Sequence, residues 1–170
     1  MQRFTLSAVN RLEPAAFEAA FGHLCEHAPW VARRVTDRRP FVDQDAIRDG
    51  FRTVIDAASR AEQLTLLRNH PELAGKAAIA GDLTEDSRKE QAGAGLTRLT
   101  PEEYARFHEL NRAYTAKFGF PFILAVKGRS KGEILAAFAA RLDNDRETEF
   151  RTALDQVARI IEFRLADLLE

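Results

Sequence analysis

The chain has 170 residues, of which 45% are hydrophobic and 30% are charged, a balance that excludes a disordered chain and suits one domain with a single core. Its 25 basic and 26 acidic residues give a formal net charge of -1, so no charge bias favours nucleic acid or an anionic membrane. The single cysteine, Cys25, excludes an intrachain disulfide and suits a reducing compartment. Because no signal peptide or membrane-spanning apolar run is evident, we expect a cytoplasmic protein.

The first half of the chain has helical periodicity. A helix is predicted to open at Pro14 and to end before Pro29, and a second is predicted to begin at about Asp45. A third helix must end near His70, because Pro71 disfavours the helical conformation in the residue before it. The basic run at residues 33–39 lies between the first two predicted helices, and we interpret it as a solvated loop.

The second half contains the clearest helix signals. Residues 84–94 predict a short helix whose first turn is acidic. Thr100, Pro101 and Glu103 then form a capping-box pattern with proline at the first helical position, and Gly119 is a natural C-terminal cap for the same helix. These signals fix the start and the end of a long predicted helix.

Two further helices and one extended segment complete the chain. Ser130 and Glu133 repeat the capping-box pattern, and the last helix carries apolar residues at helical spacing from Phe150 to Leu168. Only the segment 120–126, FPFILAV, resembles a strand, and its proline favours an extended buried segment over a central strand. We therefore predict an all-α, single-domain bundle of roughly seven to nine helices over residues 1–170.

Arg164 interrupts the apolar stripe of the last predicted helix. It follows Ile161 by three residues and precedes Leu168 by four, at a position where the pattern expects an apolar side chain. An unpaired buried guanidinium would be very costly, so Arg164 must extend outward, pair with a protein carboxylate, or face a cavity that receives an anion. Its position alone does not choose among these.

His70 follows Leu66 and Leu67 by four and three residues, so it is predicted on the apolar face where its helix ends. A helix C-terminus favours the protonated imidazolium, which suits a proton donor near neutral pH. A helix cap or a satisfied core histidine would explain the same position.

Ser87, Glu90, Gln91 and Ala94 are spaced to share one side of a short helix. A hydroxyl, a carboxylate and a primary amide side by side could orient a small polar heterocycle. Equally, Ser87 followed by Glu90 matches a capping box. No metal site is predicted, because the four-residue spacing of His23 and His27 lacks an evident third ligand and favours a surface pair.

Four motifs resemble the 2-oxo-4-hydroxy-4-carboxy-5-ureidoimidazoline (OHCU) decarboxylases of urate catabolism. They are HPELAGK at 70–76, SRKEQ at 87–91, FGFPFILAVKG at 118–128 and IIEFRLADLL at 160–169, in the order and approximate spacing of that family. The resemblance implies an all-helical fold, no cofactor, a small ureidoimidazoline as the partner molecule, and commonly a homodimer. It also implies a cofactor-independent decarboxylation that yields (S)-allantoin and CO2.

The resemblance also implies site residues. The family's catalytic histidine matches His70, and we assign catalytic roles to Glu90 and Arg164 as well. The substrate-binding positions implied are Pro71, Ser87, Arg88, Lys89, Glu90, Gln91, Phe122, Ile123, Leu124, Ala125, Val126 and Arg164.

Two other classes of function fit the residues. In a non-enzymatic helical interaction module, Arg164 and Glu90 would form a structural ion pair and His70 would cap its helix. A lyase or hydrolase that acts on a related ureide would share the same motifs. Stereospecific formation of (S)-allantoin would separate the predicted decarboxylase from both, because uncatalysed decay of the substrate gives racemic product.

Overall fold

A computed structural model describes residues 3–170 and confirms the predicted all-α class. Eight of its α-helices have seven or more residues, and two shorter helices, α1 and α6, were not predicted. None of the helices formed by residues 3–170 is both long and apolar enough to cross a lipid bilayer. The helices are α1 (Leu6–Arg11), α2 (Pro14–Phe21), a 3-10 helix (Gly22–Leu24), α3 (Trp30–Thr36), α4 (Gln44–Ala57), α5 (Arg60–Arg68), α6 (Lys76–Ala80), α7 (Glu85–Gly93), α8 (Pro101–Phe118), α9 (Lys131–Arg141) and α10 (Arg146–Leu168).

The predicted caps of α8 are present. The Thr100 hydroxyl accepts a hydrogen bond from the Glu103 amide at 3.1 Å, and the Glu103 carboxylate accepts one from the Thr100 amide at 2.9 Å. Gly119 ends the helix in the left-handed conformation with φ of +79°, which glycine adopts without steric cost. The Ser130–Glu133 capping box likewise starts α9.

The interpretation of residues 33–39 as a solvated loop was wrong for its first part, because α3 contains Arg33 and Arg34. One face of this two-turn helix buries Val31, Ala32 and Val35, a stripe too short to stand out from the adjacent charges. The two arginine side chains remain exposed, and Arg33 forms an ion pair with Glu18 at 2.7 Å.

The described chain divides into two compact units. The first contains the residues up to Asn69 together with Val157–Glu170, and the second contains His70–Gln156. In the first unit, Phe17 and Phe21 are fully buried with ring centroids 4.7 Å apart. The prediction of a single domain over residues 1–170 therefore stays a prediction.

The second unit is built around an aromatic cluster. The rings of Phe122 and Phe138 stack with centroids 3.8 Å apart, and the fully buried Tyr114 meets both rings edge-on at 5.4 and 5.9 Å. Phe122 belongs to the segment 120–126, which is buried and forms neither helix nor strand. The expectation of an extended buried segment was thus correct.

Candidate functional site

His70 lies directly after α5, as its sequence position predicts. Helix α5 ends at Arg68, and Asn69 takes the C-cap position. His70 thus lies one residue beyond the C-cap position. The side chain of His70 is half-buried, and Pro71 follows it at the start of a turn that continues to Gly75. A half-buried imidazole can be both held in place and reached by a small molecule.

The turn after His70 and Pro71 is held by two amide side chains. Gln91 on α7 donates from Nε2 to the Glu72 carbonyl at 3.2 Å and accepts from the Ala74 amide at 2.9 Å. Asn111 on α8 donates from Nδ2 to the Leu73 carbonyl at 2.9 Å. Three consecutive residues of the turn are thereby fixed to two helices.

The conformation of this turn is restricted at two neighbouring residues. Ala74 has φ of +52°, in the left-handed region that residues with a Cβ rarely adopt. At Gly75, a Cβ atom would lie 2.6 Å from Cβ of Glu72, so only glycine fits without displacement. The strain at Ala74 persists because the surrounding hydrogen bonds over-determine the backbone.

One face of α7 points inward, as predicted. Ser87 and Gln91 are each 3% exposed, Ala94 is buried, and Glu90 is half-buried. The alternative that Ser87 and Glu90 form a capping box was wrong, because Thr84 is the N-cap and accepts a hydrogen bond from the Ser87 amide at 3.3 Å. Ser87 therefore faces inward for a reason other than capping.

The structure separates Arg88 and Lys89 from that face. Both side chains are exposed, and Lys89 forms an ion pair with Glu85 one turn earlier. Neighbouring residues on a helix point in different directions, so the continuous run 87–91 cannot act as one binding surface. The inward-facing members are Ser87 and Gln91, with Glu90 at their edge.

The backbone of residues 122–126 is partly engaged by protein side chains. The Ile123 carbonyl accepts a hydrogen bond from Nη1 of Arg141 at 2.6 Å. The Ala125 amide donates to the side-chain oxygen of Gln156 at 3.0 Å. These bonds hold an extended segment that has no neighbouring strand to satisfy it.

Arg164 belongs to the first unit, whereas His70, α7 and residues 122–126 belong to the second. The guanidinium is buried, with the residue 5% exposed, and its Nη2 lies 3.1 Å from Oε1 of Glu26. Nη1 donates to the Leu24 carbonyl at 3.2 Å. Arg164 therefore pairs with a protein carboxylate, which is one of the three arrangements that its sequence position allowed.

Two structural roles were not predicted from the sequence. Glu26 is the ion-pair partner of Arg164, and Asn111 holds the turn after His70. Glu26 is 4% exposed and is flanked by buried Cys25 and exposed His27. A carboxylate directly after the apolar pair Leu24 and Cys25 is the signal that could have identified it. Asn111 could have been found by the argument used for Arg164, because it too stands in an apolar helical stripe.

Cys25 is not a nucleophile in this environment. Burial raises the pKa of its thiol to about 12, Arg164 opposes that rise and the Glu26 carboxylate adds to it. The thiol therefore stays protonated near neutral pH, and only the thiolate is a strong nucleophile.

Comparison with known proteins agrees with the resemblance in the motifs. The family model described as OHCU decarboxylase matches residues 10–166. The 2-oxo-4-hydroxy-4-carboxy-5-ureidoimidazoline decarboxylase of Haloferax volcanii is 44% identical over 167 residues, which cover 98% of this chain and 97% of the relative. The enzyme of the same name from Halalkalicoccus jeotgali is 41% identical over 168 residues, covering 99% and 93% of the two chains.

A solved structure shares the fold. The crystal structure of an (S)-allantoin synthase aligns with a TM-score of 0.79 at 28% identity, covering 98% of this chain and 54% of that one. Together with the sequence comparisons, it shows that the chain belongs to the OHCU decarboxylase family.

Proposed function

We propose that this protein converts 2-oxo-4-hydroxy-4-carboxy-5-ureidoimidazoline to (S)-allantoin and CO2 in urate catabolism. The observation that carries the proposal is the 44% identity, over almost the full length of both chains, to a relative with that decarboxylase name. The S configuration is supported by the structural similarity to an (S)-allantoin synthase.

The reaction suits a protein that supplies only side chains. When the C–C bond to the carboxylate breaks, the electron pair left on carbon 4 is delocalised into the neighbouring imine. Protonation of carbon 5, which bears the ureido group, then sets the stereocentre, while the 4-hydroxyl becomes a ring carbonyl. The imine nitrogen also gains a proton and the hydroxyl loses one, so that one proton in total is taken up for each carboxylate lost as CO2. The protein must orient the carboxylate, exclude water and deliver that proton to one face.

His70 is the proposed general acid. It either protonates the intermediate directly or first orients the 4-hydroxyl and then delivers the proton. Its half-buried position and the fixed turn behind it support this role, because proton transfer requires a donor held in one geometry. Pro71 limits the backbone of His70 to extended conformations and would lie beside the substrate.

Glu90 and Ser87 are proposed to bind the polar edge of the substrate. The Glu90 carboxylate would accept hydrogen bonds from ureido or ring N–H groups, and near the departing carboxylate it would disfavour the charged ground state. Gln91 can contribute one further N–H, because its amide already serves Glu72 and Ala74. The exposed Arg88 and Lys89 are omitted from the proposed site. Backbone groups of residues 122–126 complete it.

Arg164 is proposed to bind a substrate carboxylate or ring carbonyl. A guanidinium carries five N–H donors and can hold a planar oxygen pair while it also contacts protein acceptors. The bonds to Glu26 and Leu24 support the role by fixing the direction of the guanidinium plane.

We further propose that residues 1–170 act as a single domain in a cytoplasmic homodimer. Its partner molecule would be a small ureidoimidazoline, with no nucleic acid, membrane or cofactor involved. The near-complete coverage of the H. volcanii relative supports the single domain. Sedimentation equilibrium of the purified chain would test the dimer.

The decisive experiment follows product chirality. Urate is treated with uricase and hydroxyisourate hydrolase, with and without this protein, and circular dichroism records the allantoin formed. We expect rapid accumulation of (S)-allantoin with the protein and slow racemic product without it. An optically inactive product at the uncatalysed rate would refute the proposal.

Replacement of His70 tests the general acid. We expect His70→Asn to lower kcat by at least about 100-fold, which is the lower end of the range for general acid catalysis. The urea midpoint of unfolding should change no more than it does for a typical surface substitution. Near-normal turnover by a folded His70→Asn protein would remove His70 from this role.

A further inference from the structure

Asn111 is a buried polar residue that no part of the proposed mechanism uses. It stands on α8 between the fully buried Phe107 and Tyr114, and it is only 3% exposed. The one hydrogen bond that its side chain makes among the described residues joins Nδ2 to the Leu73 carbonyl, 38 positions earlier in the sequence. Burying the amide of an asparagine in an apolar stripe costs free energy that an aliphatic residue at the same position would not incur. The presence of Asn111 therefore indicates a role other than packing.

The orientation of the Asn111 amide follows from its partner. A backbone carbonyl only accepts hydrogen bonds, so the NH2 group must face Leu73 and Oδ1 must face away from it. In the part of the chain that the structure describes, Oδ1 is buried and has no hydrogen-bond partner. A buried acceptor left unsatisfied costs free energy, so stability alone does not favour this residue.

The bond from Asn111 acts on the centre of the turn that follows His70. Gln91 holds the residues on either side, at the Glu72 carbonyl and the Ala74 amide. The turn also contains the left-handed Ala74, which would relax to a more common conformation if its hydrogen bonds were lost. Asn111 and Gln91 together form an amide clamp, which we define as these two side chains.

We propose that Asn111 is a positioning residue for His70. By fixing the Leu73 carbonyl, it holds the strained turn in one conformation and thereby sets the direction of the imidazole three residues earlier. The residue touches neither the substrate nor the reacting atoms. This inference rests on the proposed role of His70 as the proton donor.

Kinetics of Asn111→Leu test the inference. The change removes the donor but keeps a side chain of similar size. A misplacement of about 1 Å in a catalytic group can cost about 100-fold in rate, so we expect kcat to fall by at least tenfold. We expect KM to change by less than about threefold, since the residue has no substrate contact. The enantiomeric excess of (S)-allantoin should also fall, because protonation by water is not face-selective.

A matched control is available in the same unit. Asn144 donates from Nδ2 to Glu149 at 2.8 Å, so Asn144→Leu makes the same chemical change at a bond outside the turn. We expect this variant to keep the parent kcat per folded molecule. A loss of kcat equal to that of Asn111→Leu would overturn the positioning role, because both would then act through general destabilisation.

A spectroscopic measurement makes the inference independent of turnover. The chain has four histidines, His23, His27, His70 and His108, so their imidazole proton resonances can be resolved by NMR. His70→Asn identifies the His70 signal by its disappearance. In Asn111→Leu we expect that signal to shift or broaden while the other three stay in place, and we expect no change at His70 in Asn144→Leu.

The outcomes separate the two proposals. If the parent protein lacks decarboxylase activity, the proposed function fails, while the NMR signal of His70 still reports on the clamp. An unchanged His70 signal in folded Asn111→Leu overturns the positioning role. If that variant does not fold, Asn111→Ala replaces it, because alanine removes the donor to Leu73 without adding bulk or a buried charge. The same shift of His70 is expected there, and its absence would equally overturn the inference.

Discussion

Two buried arginine–glutamate pairs, one in each compact unit, are built differently. In the second unit the Glu149 carboxylate is fully buried and accepts hydrogen bonds from Nε of Arg141 at 2.8 Å, from Nδ2 of Asn144 at 2.8 Å and from the Tyr114 hydroxyl. Arg141 also donates to the Ile123 carbonyl at 2.6 Å. We refer to Arg141, Glu149, Tyr114 and Asn144 as the Glu149 network.

The pair in the first unit has longer contacts. Nη2 of Arg164 lies 3.1 Å from Glu26, and Nη1 lies 3.2 Å from the Leu24 carbonyl. The neighbouring Cys25 is buried as well, at 3% exposure. The same two residue types thus make a shorter contact between Arg141 and Glu149 than between Arg164 and Glu26.

The comparison shows that a buried charged residue does not by itself indicate a catalytic or binding site. Burying an ion pair has a large desolvation cost, which is offset only where hydrogen bonds satisfy the remaining lone pairs and protons. The Glu149 network meets that condition for the carboxylate, whereas the buried Nη2 of Arg141 has no hydrogen-bond partner among the described residues. The network joins α8, α9 and α10 to the extended segment. Its contacts are those of a scaffold. We assign Arg164 to substrate binding because it also lies in a family motif.

The largest expected effect is a loss of stability in the Glu149 network. Glu149→Ala leaves the Arg141 guanidinium buried without its carboxylate, which typically costs about 3–5 kcal/mol. We expect urea unfolding to show a loss of this size. The double variant Arg141→Met/Glu149→Met should recover part of the loss, and a single-variant cost under about 1 kcal/mol would contradict the network.

The second prediction concerns activity. Lysine at either arginine position replaces a planar guanidinium, which has several N–H donors, with a single ammonium group. We expect Arg164→Lys to lower kcat/KM by about 100-fold, equivalent to about 2.7 kcal/mol, because an ammonium cannot reproduce a planar multi-donor contact. Steady-state assays normalised to folded protein measure this. Arg141→Lys is the comparison variant. It should lower stability, and its effect on kcat/KM should be much smaller than that of Arg164→Lys, because Arg141 reaches the proposed site only through the Ile123 carbonyl. Equal losses of activity in both would remove the distinction between the pairs.

The parts of the fold that the sequence predicted depend on local interactions. Thr100 and Glu103 cap each other's backbone amides, and the Gly119 amide donates to the Thr115 carbonyl four residues earlier, so residue types alone mark the ends of α8. Helix α3 was missed because its buried stripe has only three residues and its charges dominate the pattern. Helical periodicity becomes recognisable in a sequence only over more turns than α3 contains.

The parts of the site that the sequence could not predict depend on distant pairs. Asn111 meets a carbonyl 38 positions away, and Arg164 meets a carboxylate 138 positions away. Helical spacing revealed that Arg164 interrupts an apolar stripe, but it could not name Glu26 as the partner. Likewise, the spacing of Ser87 and Gln91 predicted a shared inward face, but not that Gln91 bonds to the turn after His70.

The third prediction removes one donor from the Glu149 network. Burial and the hydrogen bond to Glu149 raise the pKa of Tyr114, so its hydroxyl stays protonated and donates throughout the neutral range. Tyr114→Phe keeps the ring contacts but deletes this bond, and we expect a loss of about 1.5 kcal/mol in the free energy of unfolding. The exposed Tyr104→Phe should change it by less than about 0.5 kcal/mol. Equal effects of the two variants would show that the hydroxyl is not a structural donor.

The smallest effect on stability is expected at the exposed ion pair between Arg34 and Glu62. This pair extends the comparison to charges that are in contact with water. The Arg34 side chain, followed by the Ser59 amide and hydroxyl, lowers the pKa of Glu62 from its ordinary value of 4.5 to about 2. A carboxyl with a lowered folded-state pKa stabilises the fold above about pH 4.5, and that contribution is lost as the pH falls toward 2.

Urea unfolding between pH 5 and pH 2.5 checks this sign. We expect Glu62→Gln to lose stability less steeply with acid than the parent, while Glu13→Gln, at an N-cap without a side-chain cap bond, controls for the loss of one negative charge. An identical acid slope in Glu62→Gln and the parent would contradict the assignment. Solvent screens this exposed pair, so its removal should matter far less than that of Glu149. The order of effects therefore follows how completely water is replaced by protein donors around each carboxylate.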